Sequence, residues 1–417
     1  MGLTLAEKIL ARASGLDMVS PGEIMGAAVD LALSAGNAGE VRADFEARGV
    51  AGVWDPDHIV IVADHSAPAG GGQTAEAHKS VREFVRRYQI RHFYDVGRGG
   101  AIHQVVAENG FVGPGMVVVG TDPHAAAHGA FCAFSTVLSA EEMAGVWAEG
   151  RLWVSVPPSI RVNLSGEMSR WVAVQDLVLY LAGRFDAGGV EGRAVEFGGP
   201  GIHGLSMGSR MVVTNLAAEL GARAALLPAD DRLLSHLRHH SRSSRWPPAS
   251  VAPDADAVYE YVLAVDLAAE IPEPLVACPG LGLSAEPVSG VGNVPVHQAE
   301  IGGCAGGGLE DLETAAGIVA GRQIHSGARL LVTPASQQVY LEALRLGYLE
   351  TLVSAGALIS PPGCGACAVG HLGLLAPGET CISSNHCDTA AIYLASPAVV
   401  AASACAGRIV HPQTVRS

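Results

Sequence analysis

Short apolar runs that break off at polar residues recur along the chain. Ile59-Val60-Ile61-Val62 runs into Asp64-His65, Met116-Val117-Val118-Val119 into Gly120-Thr121-Asp122, and Leu330-Leu331-Val332 into Pro334-Ala335-Ser336. Each reads as a buried strand with polar residues at its carboxyl end. Between these runs, residues 74–88 and 337–346 carry helical patterns. Strands alternating with helices predict an α/β fold of packed layers. Ligands of such sheets gather beyond the carboxyl ends of the strands, so Asp64, His65, Asp122 and His124 stand where chemistry is expected. The alternating stretch Ser159-Ile160-Arg161-Val162-Asn163-Leu164-Ser165 follows Pro157-Pro158 and opens a second domain. A polar, proline-rich segment at 239–256 and a loop-rich one at 271–293 precede a final α/β region. The expected division is 1–158, 159–285 and 286–417.

Composition narrows the picture. The chain has 417 residues, 49% hydrophobic and 16% charged, which excludes disorder and calls for more than one domain. Acidic residues outnumber basic ones by 41 to 26, and the lysines are Lys8 and Lys79 alone. No basic surface of the size nucleic acid requires is visible; the basic cluster at 238–245 is broken by serines and reads as a solvated loop. The mean hydropathy is +0.30, yet no run reaches the ~18 apolar residues that span a bilayer. The longest candidate, 394–407, carries Ser396 and Ser403. The amino terminus lacks a signal-peptide pattern. A soluble, cytoplasmic protein without nucleic-acid or membrane partners is the expectation.

Eight cysteines fall at 132, 278, 304, 364, 367, 381, 387 and 405, too sparse for a secreted disulfide framework. Three lie in glycine-rich turns: Cys304 in Gly302-Gly303-Cys304-Ala305-Gly306-Gly307-Gly308, and Cys364 and Cys367 in Pro362-Gly363-Cys364-Gly365-Ala366-Cys367. A C-x-x-C turn aims two thiolates at one centre, and glycines let backbone amides approach the sulfurs. Three thiolates can hold a [4Fe–4S] cluster with one iron left open, where electron carriers use four. An open iron is a Lewis acid for a hydroxyl or carboxylate oxygen. A zinc half-site and a redox pair fit the spacing as well.

A second group is acid–base. Asp64-His65, His103, and Asp122 with His124 follow expected strands or glycine turns, and an Asp beside a His fixes the imidazole tautomer and raises its basicity. A lone His at a strand end is more often structural. Asn215 and Glu219 are one helical turn apart within 211–221 and share a face, as an ordinary amphipathic helix would also have it. Gly199-Pro200-Gly201-Ile202-His203-Gly204 fits G-x-G-x-x-G, but proline at its second position has no amide for a pyrophosphate and the later acidic residue is missing. Dinucleotide binding is therefore not expected.

These residues together resemble the aconitase superfamily, most closely the large subunits of 3-isopropylmalate dehydratases. The resemblance runs from Leu5-Ala6-Glu7-Lys8-Ile9-Leu10 to Ala406-Gly407-Arg408-Ile409, and its specific segments include Val53-Trp54-Asp55, His103-Gln104-Val105, Leu309-Glu310-Asp311-Leu312 and Leu375-Ala376-Pro377-Gly378-Glu379. It implies three α/β/α domains around a [4Fe–4S] cluster held by Cys304, Cys364 and Cys367. Asp64, His65, His103, Asp122, His124 and Glu219 match catalytic positions, and Asn215 a substrate contact. The implied reaction removes and re-adds water on a small hydroxy acid. The base that takes the carbon-bound proton is a serine on a swivelling domain, which two-subunit members carry as a separate small-subunit partner.

The departures from the family pattern are also specific. D-S-H-T reads Asp122-Pro123-His124-Ala125, S-C-T-N-G reads Gly303-Cys304-Ala305-Gly306-Gly307, and the early polar turn reads Ser34-Ala35-Gly36-Asn37. The S-N-R-N-F-x-G-R loop that grips substrate carboxylates is shortened to Ser384-Asn385-His386-Cys387-Asp388. Asn385 and His386 are the substrate contacts left there, and His386 is a poor substitute for a forked guanidinium. The expectation is a hydro-lyase with altered carboxylate recognition. A cluster-binding paralogue without turnover, and a lyase expelling a group other than water, are the alternatives. Cys387 could be a fourth ligand, a substrate contact or neither.

Overall fold

The computed structural model describes residues 2–185, 189–239, 251–279, 284–366, 372–385 and 392–415. Contacts divide the chain into two compact units, Met1–Val96 with Ile102–Ser165 and Gly188–Val265, and Gly97–Ala101 with Gly166–Ala187 and Asp266–Ser417.

The first unit carries strands β1 (Ile24–Ala28), β2 (Leu31–Ser34), β3 (Ile59–Val62), β4 (His92–Tyr94), β5 (Val117–Gly120), β6 (Phe134–Val137) and β7 (Arg151–Ser155). Five of them form a parallel sheet in the order β4-β3-β2-β5-β6. Winding leaves β2 toward β3 and β4, then returns to β5 and β6, so the chain changes direction between β2 and β5. Beyond the carboxyl ends of the strands at such a switch point lies an open crevice. β2, β3 and β5 are buried at every position, which explains their unbroken apolar runs. β1 and β7 pair antiparallel beside this sheet. The same unit holds β8 (Ser159–Ser165), β9 (Ala194–Gly198), β10 (Ala224–Leu226) and β11 (Val262–Asp266), in the order β10-β9-β8-β11.

The second unit carries β12 (Leu275–Ala277), β13 (Ala285–Pro287), β14 (Gln298–Gly302), β15 (Arg329–Thr333), β16 (Leu358–Ile359), β17 (Cys381–Ser383) and β18 (Ile392–Ala395), ordered β13-β12-β18-β17-β14-β15-β16. β18, β17, β14, β15 and β16 run parallel. Here the switch point falls between β14 and β17. Ala299 and Ile301 of β14 join a core with Leu312, Val319 and Val399 of the flanking helices.

Helix starts follow local chemistry. Thr4 and Ser139 close capping boxes with Glu7 and Glu142, satisfying amides that the first turn leaves open. Gly199-Pro200-Gly201-Ile202-His203-Gly204 forms a turn and a short 3-10 segment, Pro200–Gly204, and Gly201 packs on the Leu164 backbone. Among the described residues no helix is long and apolar enough to cross a membrane.

A carboxyl group is buried beneath the first helix. Glu196 of β9 accepts hydrogen bonds from the Ala6 amide (3.0 Å) and the Tyr259 hydroxyl (2.8 Å). Burial nevertheless pushes it from 4.5 up to about 7. The folded chain therefore holds a proton that the unfolded chain releases between these values. The stability linked to that proton is full below about pH 4.5 and is lost as pH rises through 7, at most about 3 kcal/mol. Urea midpoints at pH 5 and pH 7.5 should fall further apart in the wild type than in Glu196→Gln.

Candidate active site and cluster ligands

In the first unit the polar residues gather at the switch point. Asp64 and His65 follow β3, Asn37 follows β2, and Asp122 follows β5. His65 Nδ1 lies 2.6 Å from Asp64 Oδ1, while Asp64 Oδ2 accepts the Ile102 amide at 3.2 Å. The carboxylate is buried at 5% exposure and ties the His65 loop to the start of the Ile102–Glu108 helix, the helix that carries His103. With its Nδ1–H given to Asp64, His65 presents Nε2, 4.0 Å from Asp122 Oδ2.

Asp122 caps the 3-10 helix Pro123–Phe131 by accepting the His124 amide at 2.8 Å. His124 then turns its ring toward the Met207–Glu219 helix, with Nδ1 2.6 Å from Asn215 Oδ1. An amide oxygen only accepts, so Nδ1 carries the proton and Nε2 is the unprotonated nitrogen of the neutral ring. That Nε2 lies 3.9 Å from Asp122 Oδ1, and the His103 and His124 rings are 6.1 Å apart. Asp64, His65, His103, Asp122, His124 and Asn215 thus form one contiguous set. Glu219 is half-buried at the end of the Met207–Glu219 helix, one turn beyond Asn215.

Two features here escape the sequence pattern. Asn37 and Thr121 clasp the two sides of the switch point, Thr121 Oγ1 donating to Asn37 Oδ1 at 2.5 Å and Asn37 Nδ2 to the Thr121 carbonyl at 3.2 Å. His128 lies buried inside the 3-10 helix with Nδ1 2.9 Å from the Ala125 carbonyl, and desolvation lowers it to about 4. Its spacing of four from His124 was the available signal. At neutral pH it is uncharged and ties the 3-10 helix together. Gly36 matters for a steric reason: a Cβ there would lie 2.7 Å from His65 Cβ.

In the second unit the cysteines flank the other switch point. Cys304 opens directly off β14 in the short helix Gly303–Gly306, and Cys364 sits in the turn after β16. Both are buried, at 8% and 3% exposure. Gly303 takes φ 68°, the left-handed region, and a Cβ on it would lie 2.6 Å from Asn385 Nδ2 and 3.1 Å from the Cys364 carbonyl. The two thiol-bearing turns therefore abut where no side chain fits. Cys304 Sγ donates to Asn385 Oδ1 at 2.8 Å, and Gln175 Nε2 anchors the Ala305 carbonyl at 2.7 Å. Buried soft donors on adjoining glycine turns suit thiolate ligation of iron, so the described residues fit a [4Fe–4S] group. Cys367, His386 and Cys387 lie outside the described residues, as does the basic cluster from residue 240 onward. Cys364 and Asn385 also line a small cavity of about 80 Å³, with Glu300, Thr333, Ser360 and Ser383. Among the described residues it has no basic lining side chain.

Fold and site define an α/β enzyme with an acid–base cluster and a thiolate site. The chain belongs to the aconitase family: the model described as Aconitase family (aconitate hydratase) matches residues 53–282 and 280–407. It is 42% identical over 422 residues to the 3-isopropylmalate dehydratase large subunit 1 of Methanopyrus kandleri, covering 99% of both chains. It is 40% identical over 425 residues to the probable 3-isopropylmalate dehydratase large subunit of Methanothermobacter thermautotrophicus, covering 100% of both. A crystal structure of Thermococcus kodakaraensis aconitase X (holo-form) aligns at TM-score 0.49 and 12% identity over 86% of this chain and 83% of that one. Membership makes the chain a hydro-lyase of the aconitase type with a [4Fe–4S] cluster.

Proposed function

We propose that this chain is the cluster-bearing large subunit of a hydro-lyase whose substrate is a small hydroxy acid held by fewer charged contacts than 3-isopropylmalate. Cys304, Cys364 and Cys367 are the cluster ligands in this reading. When bound, the cluster supplies Lewis acidity toward a hydroxyl and its neighbouring carboxylate. The chain's own residues manage protons. His65, oriented through Nδ1 by Asp64, and His124, oriented through Nδ1 by Asn215, each offer Nε2 toward Asp122. A protonated His at this position delivers a proton to the departing hydroxyl, and Asp122 stabilises the imidazolium before transfer. His103 and Glu219 complete the polar set, with Asn215, Asn385 and His386 as substrate contacts. The carbon-bound proton is taken by a serine of a separate small subunit, a partner suggested by the relatives being large subunits. The segments 1–158, 159–285 and 286–417 correspond in this proposal to three α/β domains.

The observation that carries the reading is the doubly oriented histidine pair. Two imidazoles with fixed tautomers and a shared carboxylate have no evident structural need for that arrangement, so it argues against a paralogue without turnover. The altered carboxylate grip is supported by the cavity beside Cys364, whose described lining residues offer no basic side chain to an anion. The test is deuterium exchange by NMR. The cluster-loaded chain and a swivelling-domain small subunit would be offered mono-, di- and tricarboxylic hydroxy acids in heavy water. Exchange favouring acids with fewer carboxylates supports the proposal; a clear preference for 3-isopropylmalate removes the altered recognition.

Gly36→Ala gives a further check. The added methyl must displace His65, since the nearest contact is its Cβ at 2.7 Å. Misplacing a reacting group by about 1 Å can cost about 10²-fold in rate. Turnover should fall on that order while iron content and melting temperature stay near wild type.

A further inference from the structure

The sequence of β14 alternates Gln298-Ala299-Glu300-Ile301-Gly302, and in a strand that places Gln298, Glu300 and Gly302 on one face. Ala299 and Ile301 fill the core on the other. Glu300 thus sits in an interior strand at 8% exposure, where a carboxyl group is costly unless it is hydrogen-bonded. Its partners are specific. Gln298 Nε2 donates to Oε1 at 2.5 Å, and the side chains of Ser383 and Cys381, on neighbouring β17, hydrogen-bond to it as well. Burial still raises it from 4.5 to about 7. In the parallel register Glu300 stands directly opposite Ser383, across the switch point.

Ser383 passes the connection on. With its hydroxyl proton committed to Glu300, its oxygen accepts the Asn385 amide at 3.1 Å. Asn385 Oδ1 takes the Cys304 thiol at 2.8 Å. The main chain fastens the same turn, with the Ser384 amide donating to the Glu300 carbonyl at 2.9 Å and the Gly302 amide to Ser384 Oγ at 3.2 Å. Hydrogen bonds on the main chain and the side chain of Asn385 therefore connect a buried acid, through Ser383, to the Cys304 sulfur. A thiol that serves as a ligand loses its proton to solvent and binds as thiolate, and the Asn385 amide then needs only to rotate for Nδ2–H to face sulfur. Hydrogen bonds to cluster sulfurs set both its retention and its potential.

We propose that Glu300 is a positioning residue for the cluster: by orienting Ser383 it fixes the Asn385 turn against Cys304 and so governs how firmly the iron is held. The proposal rests on Cys304 being a cluster ligand. Its test uses the full chain, reconstituted anaerobically with iron and sulfide, as wild type, Glu300→Leu, Glu300→Gln and Ser383→Ala. Iron release to a ferrous chelator and the cluster midpoint potential are read, with circular dichroism to verify folding.

Glu300→Leu and Ser383→Ala should release iron about tenfold or more faster, within the range that supporting contacts of metal ligands command. Glu300→Gln keeps an oxygen for the Ser383 hydroxyl and should stay within about twofold of wild type; the midpoint potential, which hydrogen bonding around the cluster sets, should move in Glu300→Leu and Ser383→Ala and not in Glu300→Gln. Combining Glu300→Leu with Ser383→Ala should add nothing to either alone. Release at the wild-type rate from folded Glu300→Leu overturns the proposal, as does Glu300→Gln failing as badly as Glu300→Leu. Should Glu300→Leu not fold, Ser383→Ala decides in the same way. A separate outcome marks the failure of the underlying reading: a Cys304→Ser variant that keeps its full iron content shows that Cys304 is not a ligand.

Discussion

His124→Ala should lower turnover by about 10²–10⁴-fold, the usual worth of a positioned proton donor or acceptor, with iron content unchanged. The expectation follows from geometry. His124 is buried at 9% exposure, its Nδ1 is held 2.6 Å from Asn215 Oδ1, and its Nε2 lies 3.9 Å from Asp122. Removing the ring takes away the group whose tautomer and orientation Asn215 fixes. Asn215→Leu should reproduce part of the loss, because the tautomer is then unspecified while the imidazole remains. The pH profile distinguishes the two: it should lose a limb in His124→Ala and be displaced in Asn215→Leu. A His124→Ala enzyme with wild-type turnover would remove His124 from the reaction.

Cys364→Ser should abolish the cluster. Cys364 is 3% exposed in a turn that abuts the Cys304 turn at Gly303, and serine offers a hard, protonated oxygen in place of a soft thiolate. Iron per chain should fall to a small fraction of wild type, the visible absorbance should vanish, and turnover should go with them. The fold should survive, since the core of the second unit is built around Ile301, Leu312, Val332 and Val399 rather than around the thiols. Iron retained in full by Cys364→Ser would break the ligand assignment.

Much of the fold was legible because parallel strands buried on both faces are apolar throughout. The 59–62 run is β3 without alteration, and the runs near 117 and 330 differ from β5 and β15 by a residue or so at their ends. Residues 123–131 carry no element expected from the sequence, only the Asp122-Pro123-His124-Ala125 departure. They form a 3-10 helix because Pro123 and the Asp122 cap start a turn that the following alanines continue. The Met207–Glu219 helix starts earlier than its apolar spacing suggests, since Ser206 caps it by accepting the Ser209 amide.

The site was legible in a different way. Strand-end placement pointed to Asp64, His65, Asp122 and His124, but the partnership of His124 with Asn215 spans 91 positions and no local pattern encodes it. Family resemblance named Asn215; only the fold shows its bond. The polar turn at Asn37 departs from the family pattern, yet its clasp with Thr121 ties together the loops that follow β2 and β5. Glu300 carried no motif at all. A lone acid in a strand reads as a solvated position until the neighbouring strands are known to bury it.

The most direct test of the central claim is the iron and acid-labile sulfide content of the wild-type chain after anaerobic purification, read with its EPR spectrum and zinc content. The account predicts about four irons and four sulfides per chain, the content of a [4Fe–4S] cluster, with no stoichiometric zinc. A chain that takes up zinc, or holds no iron after anaerobic reconstitution, would contradict it.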